Sequence, residues 1–390
     1  MNNLLLGVLT ATLCLACGGD DGPVTNTFDE TAKPVVAQYA AIVYASYGAA
    51  VVDVTRLADA LDAFVAAPSD LTLNAAKDAW KAARPNYLQT EVYRFYSGPI
   101  DNENGLEPEI NSWPMDENYV DYTALDPTAG IINDLTNYPT ITEATIKAAD
   151  EVGATTNVST GFHAIEFLLW GQDLSPTGPG ARPFTDYITG GTAANQDRRG
   201  TYLKLLGHLL VKDITTVRDA WSPDDMADYR NTTFLVDKTP KEAIGLMLLG
   251  IGWMSNTELP RERIKVPYDS QDQEDEHSCF SDTTVPIDHM NDELGIENVY
   301  FGKFGADDGP GLNDLVHSVD PALDDEMQTN IAAAKAKIQA IPAPFDQAIL
   351  GTDADPGRVA IKAAIDNINA QGLTIQKIAD AFQIPLIVTD

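Results

Sequence analysis

The sequence predicts an all-α protein made of two helical-bundle halves, related by duplication and carrying long irregular loops. Apolar side chains recur every three or four residues over long stretches, which is the spacing of helices that pack one face on a core. The alternating pattern that is typical of β-strands is scarce. A chain of 390 residues also exceeds what one hydrophobic core usually serves, which favours two domains or a duplicated one.

The N-terminus predicts an exported, lipid-anchored protein. Residues 1–16 are typical of a signal peptide, because their apolar run is too short to span a bilayer but long enough for the hydrophobic part of a signal. Leu15-Ala16-Cys17, followed by two glycines, resembles a bacterial lipobox, so Cys17 is the predicted lipidation site. Residues 17–33 are then a lipidated tether. Ordinary secretion with soluble release, or a buried apolar N-terminal segment, is the alternative.

The predicted N-terminal half spans residues 34–174. One long helix is expected from Pro34 onward, because the apolar spacing continues there without a helix-breaking pair of glycines. A second helix is expected over residues 72–96, kinked or restarted at Pro85, since proline cannot donate to the preceding turn. Residues 98–140 hold five prolines among many polar side chains, which predicts a long irregular excursion. Short helices are expected over residues 140–152 and 158–171.

The predicted C-terminal half spans residues 193–390 and follows a Gly/Pro-rich link, residues 175–192, which is the expected domain boundary. An irregular acidic segment is expected over residues 265–312. The order of long helix, second helix, acidic loop and further helices matches that of the first half, which suggests a duplication. The helices of this half are expected over residues 195–221, 239–259, 321–341 and 356–383.

The composition limits the classes of partner that this protein can bind. A formal net charge of −33 argues against nucleic acid and anionic lipid surfaces as partners and favours attraction of cations. Contact with a membrane is therefore expected through the lipid anchor alone. Two of the three cysteines lie at the signal boundary, which leaves Cys279 as the only cysteine of the folded body and excludes an internal disulfide framework.

The clearest candidate site lies in an apolar helix. His163, Glu166 and Trp170 form one stripe at helical spacing, on a helix that is apolar on nearly every side and must therefore be buried. An imidazole and a carboxylate one turn apart suit a divalent metal such as zinc or iron. The alternative is a core histidine hydrogen-bonded to its neighbour. The zincin arrangement is absent, because Ala164 and Phe167 stand where that motif has its glutamate and second histidine.

Two further segments carry charge next to apolar or acidic residues. The side chains of the first segment fall on one helix face: Trp80, Arg84, Tyr87 and Glu91. Those of the second segment lie in or next to a dense acidic run: Glu258, Arg263 and His277. The first set is either a structural salt bridge or a source of a ligand and an orienting cation. The second is either a solvated loop or part of the same site.

The form Gly161-x-His163-x-x-Glu166 resembles the signature of imelysin-like proteins, bacterial envelope proteins named for a proposed metallopeptidase and often linked with iron uptake. Segments 83–101, 110–117 and 272–282 are similar to the subgroup called iron-regulated protein A. Together the similar segments cover most of the chain from about residue 30 to 385. The resemblance implies two helical-bundle halves with the motif near their interface.

The resemblance implies a cell-envelope lipoprotein, in the outer membrane or facing the periplasm, that binds a divalent or ferric metal ion, iron or else zinc, or a metal-containing ligand. An envelope iron transporter is the implied protein partner. The expected metal ligands are His163, Glu166, Glu91 and Glu258. The expected supporting residues are Arg84, Arg263, Trp80, Tyr87 and His277. The alternatives are a metal-dependent peptidase and a metal-free adhesion or scaffold protein.

Overall fold

The computed structural model describes residues 27–388, apart from the side chains of residues 27 and 286. The predicted signal peptide, the lipidation site Cys17 and the first part of the tether lie outside these residues. The described residues form fourteen α-helices and one short antiparallel hairpin, Lys303–Phe304 with Asp307–Asp308, which confirms the all-α prediction.

The long first helix begins earlier than predicted. Helix α1 spans Thr27–Ala66 and includes Pro34, so residues 27–33, expected in the tether, are helical. Tertiary contacts explain the extension, because the ring of Phe28 packs edge-on against Phe382 at 5.1 Å and the carboxylate of Asp29 accepts from the Lys241 backbone N–H at 3.2 Å. A helix end with such partners does not fray into a tether.

Helix α1 also has the length and composition of a membrane-spanning helix. Half of its most apolar window is buried inside the protein, and the helix packs along its length against α2 (Asp70–Leu88) and α7 (Gln196–Ala220). These contacts are typical of the core helix of a bundle. Helix α6 (Gly161–Trp170) completes the group by packing on α2 and α7.

The irregular excursion between α2 and α6 is pinned to the bundle by a buried ion cluster. The carboxylate of Asp121 accepts from Arg199 at 2.6 Å and from Arg182 at 2.7 Å, and all three side chains are buried. These bonds offset part of the cost of burying irregular, polar chain. Three short helices lie in or just after the excursion: α3 (Glu107–Asn111), α4 (Glu117–Val120) and α5 (Glu143–Lys147).

The second group of helices starts at α8 (Pro240–Trp253), which continues into a π-helical segment, Met254–Lys265. The expectation of irregular chain throughout residues 265–312 was wrong, because α10 (Met290–Phe301) lies within it. Asp292 and Glu293 of this helix are buried, as is Glu276 in the preceding acidic run. Asp269, Asp272 and Glu274 of that run are exposed, as expected of a solvated loop. The other helices are α9 (Val266–Ser270), α11 (Leu312–Val319), α12 (Pro321–Gln339), α13 (Phe345–Ala348) and α14 (Pro356–Ala381).

One hydrophobic core runs through the described residues and draws on both groups of helices. Helix α7 follows the predicted link at residues 175–192, yet it packs against α1 and α6, which precede that link. The link itself contains a 3-10 turn, Phe184–Tyr187, whose Tyr187 is buried in the core. The division of the chain at this link and the duplication stay predictions, and any such division has to accommodate these contacts.

Candidate metal centre

The centre is built on α6, in which all ten residues are buried. His163 Nδ1 lies 3.0 Å from Glu166 Oε2, as their spacing of one helical turn allows. The other oxygen of Glu166 accepts from the backbone N–H of Ser281 at 2.9 Å. His163 Nε2 has no hydrogen-bond partner within the described chain. Both oxygens of Glu166 are therefore engaged, whereas one imidazole nitrogen is left over.

The aromatic stripe of α2 holds α6 in place. Trp80 Nε1 donates to the backbone carbonyl of Phe162 at 2.9 Å, and the ring of Tyr87 lies 5.0 Å from the ring of Phe162. The guanidinium of Arg84 lies 4.9 Å from the same ring. Because Phe162 directly precedes His163, these contacts fix the position of the imidazole along the helix. Trp80 and Tyr87 thus support the centre through packing.

A second histidine lies beside the first. The ring centroids of His163 and His277 are 5.9 Å apart, with the planes nearly perpendicular. Trp113 packs against both rings, at 4.8 Å from His163 and 5.8 Å from His277. His277 Nδ1, like His163 Nε2, is buried without a hydrogen-bond partner in residues 27–388. The structure therefore brings together two imidazoles that each have an unused nitrogen.

A cavity of about 270 Å³ adjoins this pair and is lined by His277 and Trp113. Two other residues expected at the site, Glu258 and Arg263, line it as well. Its remaining lining residues are Arg94, Glu107, Asn111, Ser112, Pro114, Glu262, Val266 and Asp275. Val266 is 44% exposed, so the cavity reaches the surface of the protein.

Glu91 is held by two guanidiniums at the back of the centre. Its Oε2 accepts from Arg94 and from Arg263, each at 2.5 Å. Burial raises the pKa of Glu91, but the two arginines outweigh burial and bring it to about 2. Arg263 also binds Glu258 at 2.9 Å and Asp292 at 3.1 Å. Glu91 is thus ionised and committed to this network through one oxygen.

Arg84 binds residues that the sequence did not single out. Its guanidinium pairs with Asp288 at 2.6 Å and donates to Asn111 Oδ1 at 2.5 Å. It was expected to hold a carboxylate of the metal site. The missed acids, Asp288 and Asp292, lie four residues apart, and this helical spacing next to the acidic run was the available signal. Trp113 and Asn111 were visible only as parts of a segment similar to a known subgroup.

Among residues 27–388, no group of three or more His, Cys, Asp or Glu side chains is already placed to hold a metal ion. The four expected ligands are therefore not assembled as a ready coordination shell. What the centre offers instead is a pair of imidazoles, a carboxyl group that orients one of them, and a cavity with Glu258 in its wall.

The buried pair on α6 carries no net charge at neutral pH. Burial raises the pKa of Glu166 to about 8. Burial also holds the pKa of His163 well below its usual value, and the nearby guanidiniums of Arg84 and Arg263 act in the same direction. A neutral imidazole is the form that binds metals.

These shifts predict how stability depends on pH. Between pH 4.5 and about 8 the folded protein keeps a proton on Glu166 that the unfolded chain has lost. The stabilisation from this group is therefore complete below pH 4.5 and is lost as the pH rises through 8. Relative to Glu166→Gln, metal-free wild type should lose up to about 1.4 kcal/mol of unfolding free energy per pH unit in that window. Urea unfolding at pH 5, 6.5 and 8 measures this; parallel curves for the two proteins would contradict it.

Fold and centre together define a class: an all-helical protein with a buried imidazole–carboxyl pair and a second imidazole beside a charged cavity. The chain belongs to the imelysin family, whose model matches residues 43–375. It is 26% identical over 375 residues to "Iron-regulated protein A" of Synechococcus elongatus (strain ATCC 33912 / PCC 7942 / FACHB-805), covering 94% of this chain and 89% of that protein.

The fold is also similar to a crystal structure determined at 2.30 Å resolution. That protein is described as an iron-regulated protein A precursor from Parabacteroides distasonis ATCC 8503. The TM-score is 0.71 at 22% sequence identity, covering 91% of this chain and 95% of the other. At this identity the similarity shows the shared fold. It agrees with the resemblance noted from the sequence.

Proposed function

We propose that this chain is a cell-envelope protein that binds a metal ion, or a metal-containing ligand, at His163 and His277 and serves its acquisition. The observation that carries the proposal is the pair of buried imidazoles, each with a nitrogen that lacks a hydrogen-bond partner within residues 27–388. Buried polar atoms usually have partners, so two unused nitrogens on neighbouring rings call for a ligand. Two relatives are named for regulation by iron, which supports iron over zinc.

Each residue has a separate role in this proposal. His163 Nε2 and His277 Nδ1 would supply the nitrogen ligands. Glu166, bonded to the opposite nitrogen of His163, would fix the ring. Once metal binding releases the proton that Glu166 holds in the metal-free protein, its carboxylate would also raise the basicity of the ring. Glu258, in the wall of the adjoining cavity, would supply a carboxylate. Glu91 would belong to the ionic network behind the centre, where one of its oxygens is already bonded.

The proposal includes the cellular location. A lipid on Cys17 would hold the protein at the outer membrane or facing the periplasm, and an envelope iron transporter would receive the bound metal. Support comes from the sequence of the N-terminus and from the word "precursor" in the description of the structural relative. The lipid anchor is tested by growing bacteria that express this protein with a radioactive fatty acid. The wild-type protein should incorporate the label, and Cys17→Ser should abolish that incorporation.

Metal content tests the centre. Untagged wild-type protein should carry about one metal ion per chain by elemental analysis, and His163→Ala and His277→Ala should each lose it. Glu166→Gln should weaken binding by about 10- to 100-fold, since it removes an orienting contact and leaves both nitrogens. His208→Ala is the matched control, because this histidine is exposed and pairs with Asp62 at the surface. Metal retained by both histidine variants would refute the assignment.

A peptidase remains the second candidate function, and one observation favours it. Glu258 and Glu262 line the same cavity as His277, so a carboxylate lies beside a proposed metal ligand and would take a proton from a metal-polarised water. This activity predicts cleavage of an unfolded protein substrate that a chelator stops and that His163→Ala abolishes. Absence of cleavage by metal-loaded wild type would exclude it.

A further inference from the structure

The cavity beside the two histidines is larger than a metal ion needs. Its volume is about 270 Å³, whereas a cavity needs only roughly 10–15 Å³ to hold one water molecule. A bare ion bound to imidazole would leave most of this space to solvent. The size suits a small organic molecule of several heavy atoms, bound together with the metal.

The walls of the cavity carry both signs of charge. Arg94 and Arg263 line it together with Glu107 and Glu258, and each arginine is paired with one of these acids, at 3.2 Å and 2.9 Å. Two further acids, Glu262 and Asp275, also line it. A site for a bare cation gains nothing from two guanidiniums in its wall. A site for a free, highly charged anion gains nothing from the acids. A ligand that carries charges of both signs, with its positive part toward the acids, satisfies this lining.

Two donors on the lining residues lack acceptors. Asn111 is 3% exposed, and its Nδ2 has no hydrogen-bond partner within the described chain; the same holds for Nε of Arg94. The orientation of the Asn111 amide is fixed, because its Oδ1 accepts from Arg84 at 2.5 Å. Buried donors of this kind are rarely left unpaired. They are therefore available to a ligand oxygen.

We infer that the metal enters this centre as a chelate of a small carboxylate, with the metal toward His163 and His277 and the carboxylate oxygens accepting from Asn111 and Arg94. The inference rests on the proposed function. Carboxylate oxygens accept strong hydrogen bonds from amide and guanidinium donors and also bind ferric iron. A chelate carries both positive and negative groups, as the lining requires.

The test uses Asn111→Asp, which keeps the oxygen that accepts from Arg84 and replaces the unpartnered amino group with an acceptor. Titration calorimetry is run with ferric citrate, with citrate alone and with Fe²⁺ alone. Asn111→Asp should weaken ferric citrate binding by about tenfold or more, and it should not weaken Fe²⁺ binding, because the added carboxylate repels a carboxylate ligand and attracts a cation. Arg94→Lys, which retains the charge but lacks Nε, should also weaken the chelate. Asn104→Asp, on an exposed turn, is the matched control.

The outcomes distinguish failure of the chelate inference from failure of the proposed metal centre. If Asn111→Asp, folded by circular dichroism, binds ferric citrate as tightly as wild type, the carboxylate assignment is overturned. If Fe²⁺ binds alone and citrate only strips the metal away, the chelate is overturned whereas the metal centre stands. If neither probe binds wild type, both proposals fail. Selective loss of the chelate in both variants supports the inference.

Discussion

Replacing Arg263 by leucine is expected to lower the free energy of unfolding by about 3–5 kcal/mol, because it removes one partner of a buried ion network. Arg263 is the cation that Asp292 contacts with both of its oxygens, and both residues are buried. Glu91 retains Arg94 after the substitution. Burial raises the pKa of Asp292 well above its ordinary value, and Arg263 opposes that shift. Without this cation the buried carboxyl group would hold a proton and lose its charged partner. The midpoint and slope of urea unfolding measure the loss.

Three comparisons show whether the lost charge pairing is the cause. Arg56→Leu breaks an exposed pair with Asp53 and should cost less than about 1 kcal/mol. Adding Asp292→Asn to Arg263→Leu should recover part of the stability, because no ionisable carboxyl group is then left at position 292. Arg263→Lys should fall between wild type and leucine, since lysine lacks the fork that reaches several acids. A cost below about 1 kcal/mol for Arg263→Leu would show that the network does not hold the protein together.

The network also shows which parts of the structure were predictable from sequence. Long helices such as α1, α7 and α14 follow from periodic apolar spacing, because that signal is local to each helix. The helical character of α10 was hidden, because its acidic residues resemble those of a solvated loop. Whether Asp292 is solvated or paired depends on Arg263, which lies on another element. Such a distinction is made by tertiary contacts and not by composition.

The candidate metal centre was likewise predictable from sequence only in part. His163 and Glu166 were found from a local pattern, since an imidazole and a carboxyl group one turn apart on an apolar helix must be buried together. The ion-pair partner of Arg84 could not be found from a local pattern, because Asp288 lies 204 residues further along the chain. His277 was expected only in a supporting role. Its position against His163 depends on the path of the loop after α9, which no periodicity encodes.

The glycine of the motif has a role that spacing alone did not explain. Gly161 begins α6 with φ of +78°, a left-handed conformation that favours glycine. A Cβ atom there would lie 2.5 Å from the carbonyl oxygen and 2.7 Å from the carbonyl carbon of Ile110. The backbone of α3 therefore packs directly on the first residue of α6. Any side chain at this position must push the two segments apart, two residues before the imidazole of His163.

Gly161→Ala should therefore cost about 3 kcal/mol or more of unfolding free energy, of which roughly 1–2 kcal/mol is the penalty for an L-residue in the left-handed region. Gly190→Ala separates the two terms, because Gly190 has φ of +75° but a Cβ atom added there would meet no heavy atom within 4 Å. It should show the conformational penalty alone and keep its metal. The excess cost at Gly161 measures the clash with Ile110, and the displaced imidazole should lower metal occupancy. Equal losses of stability for the two alanine variants, with metal retained in both, would mean that the glycine does not position the centre.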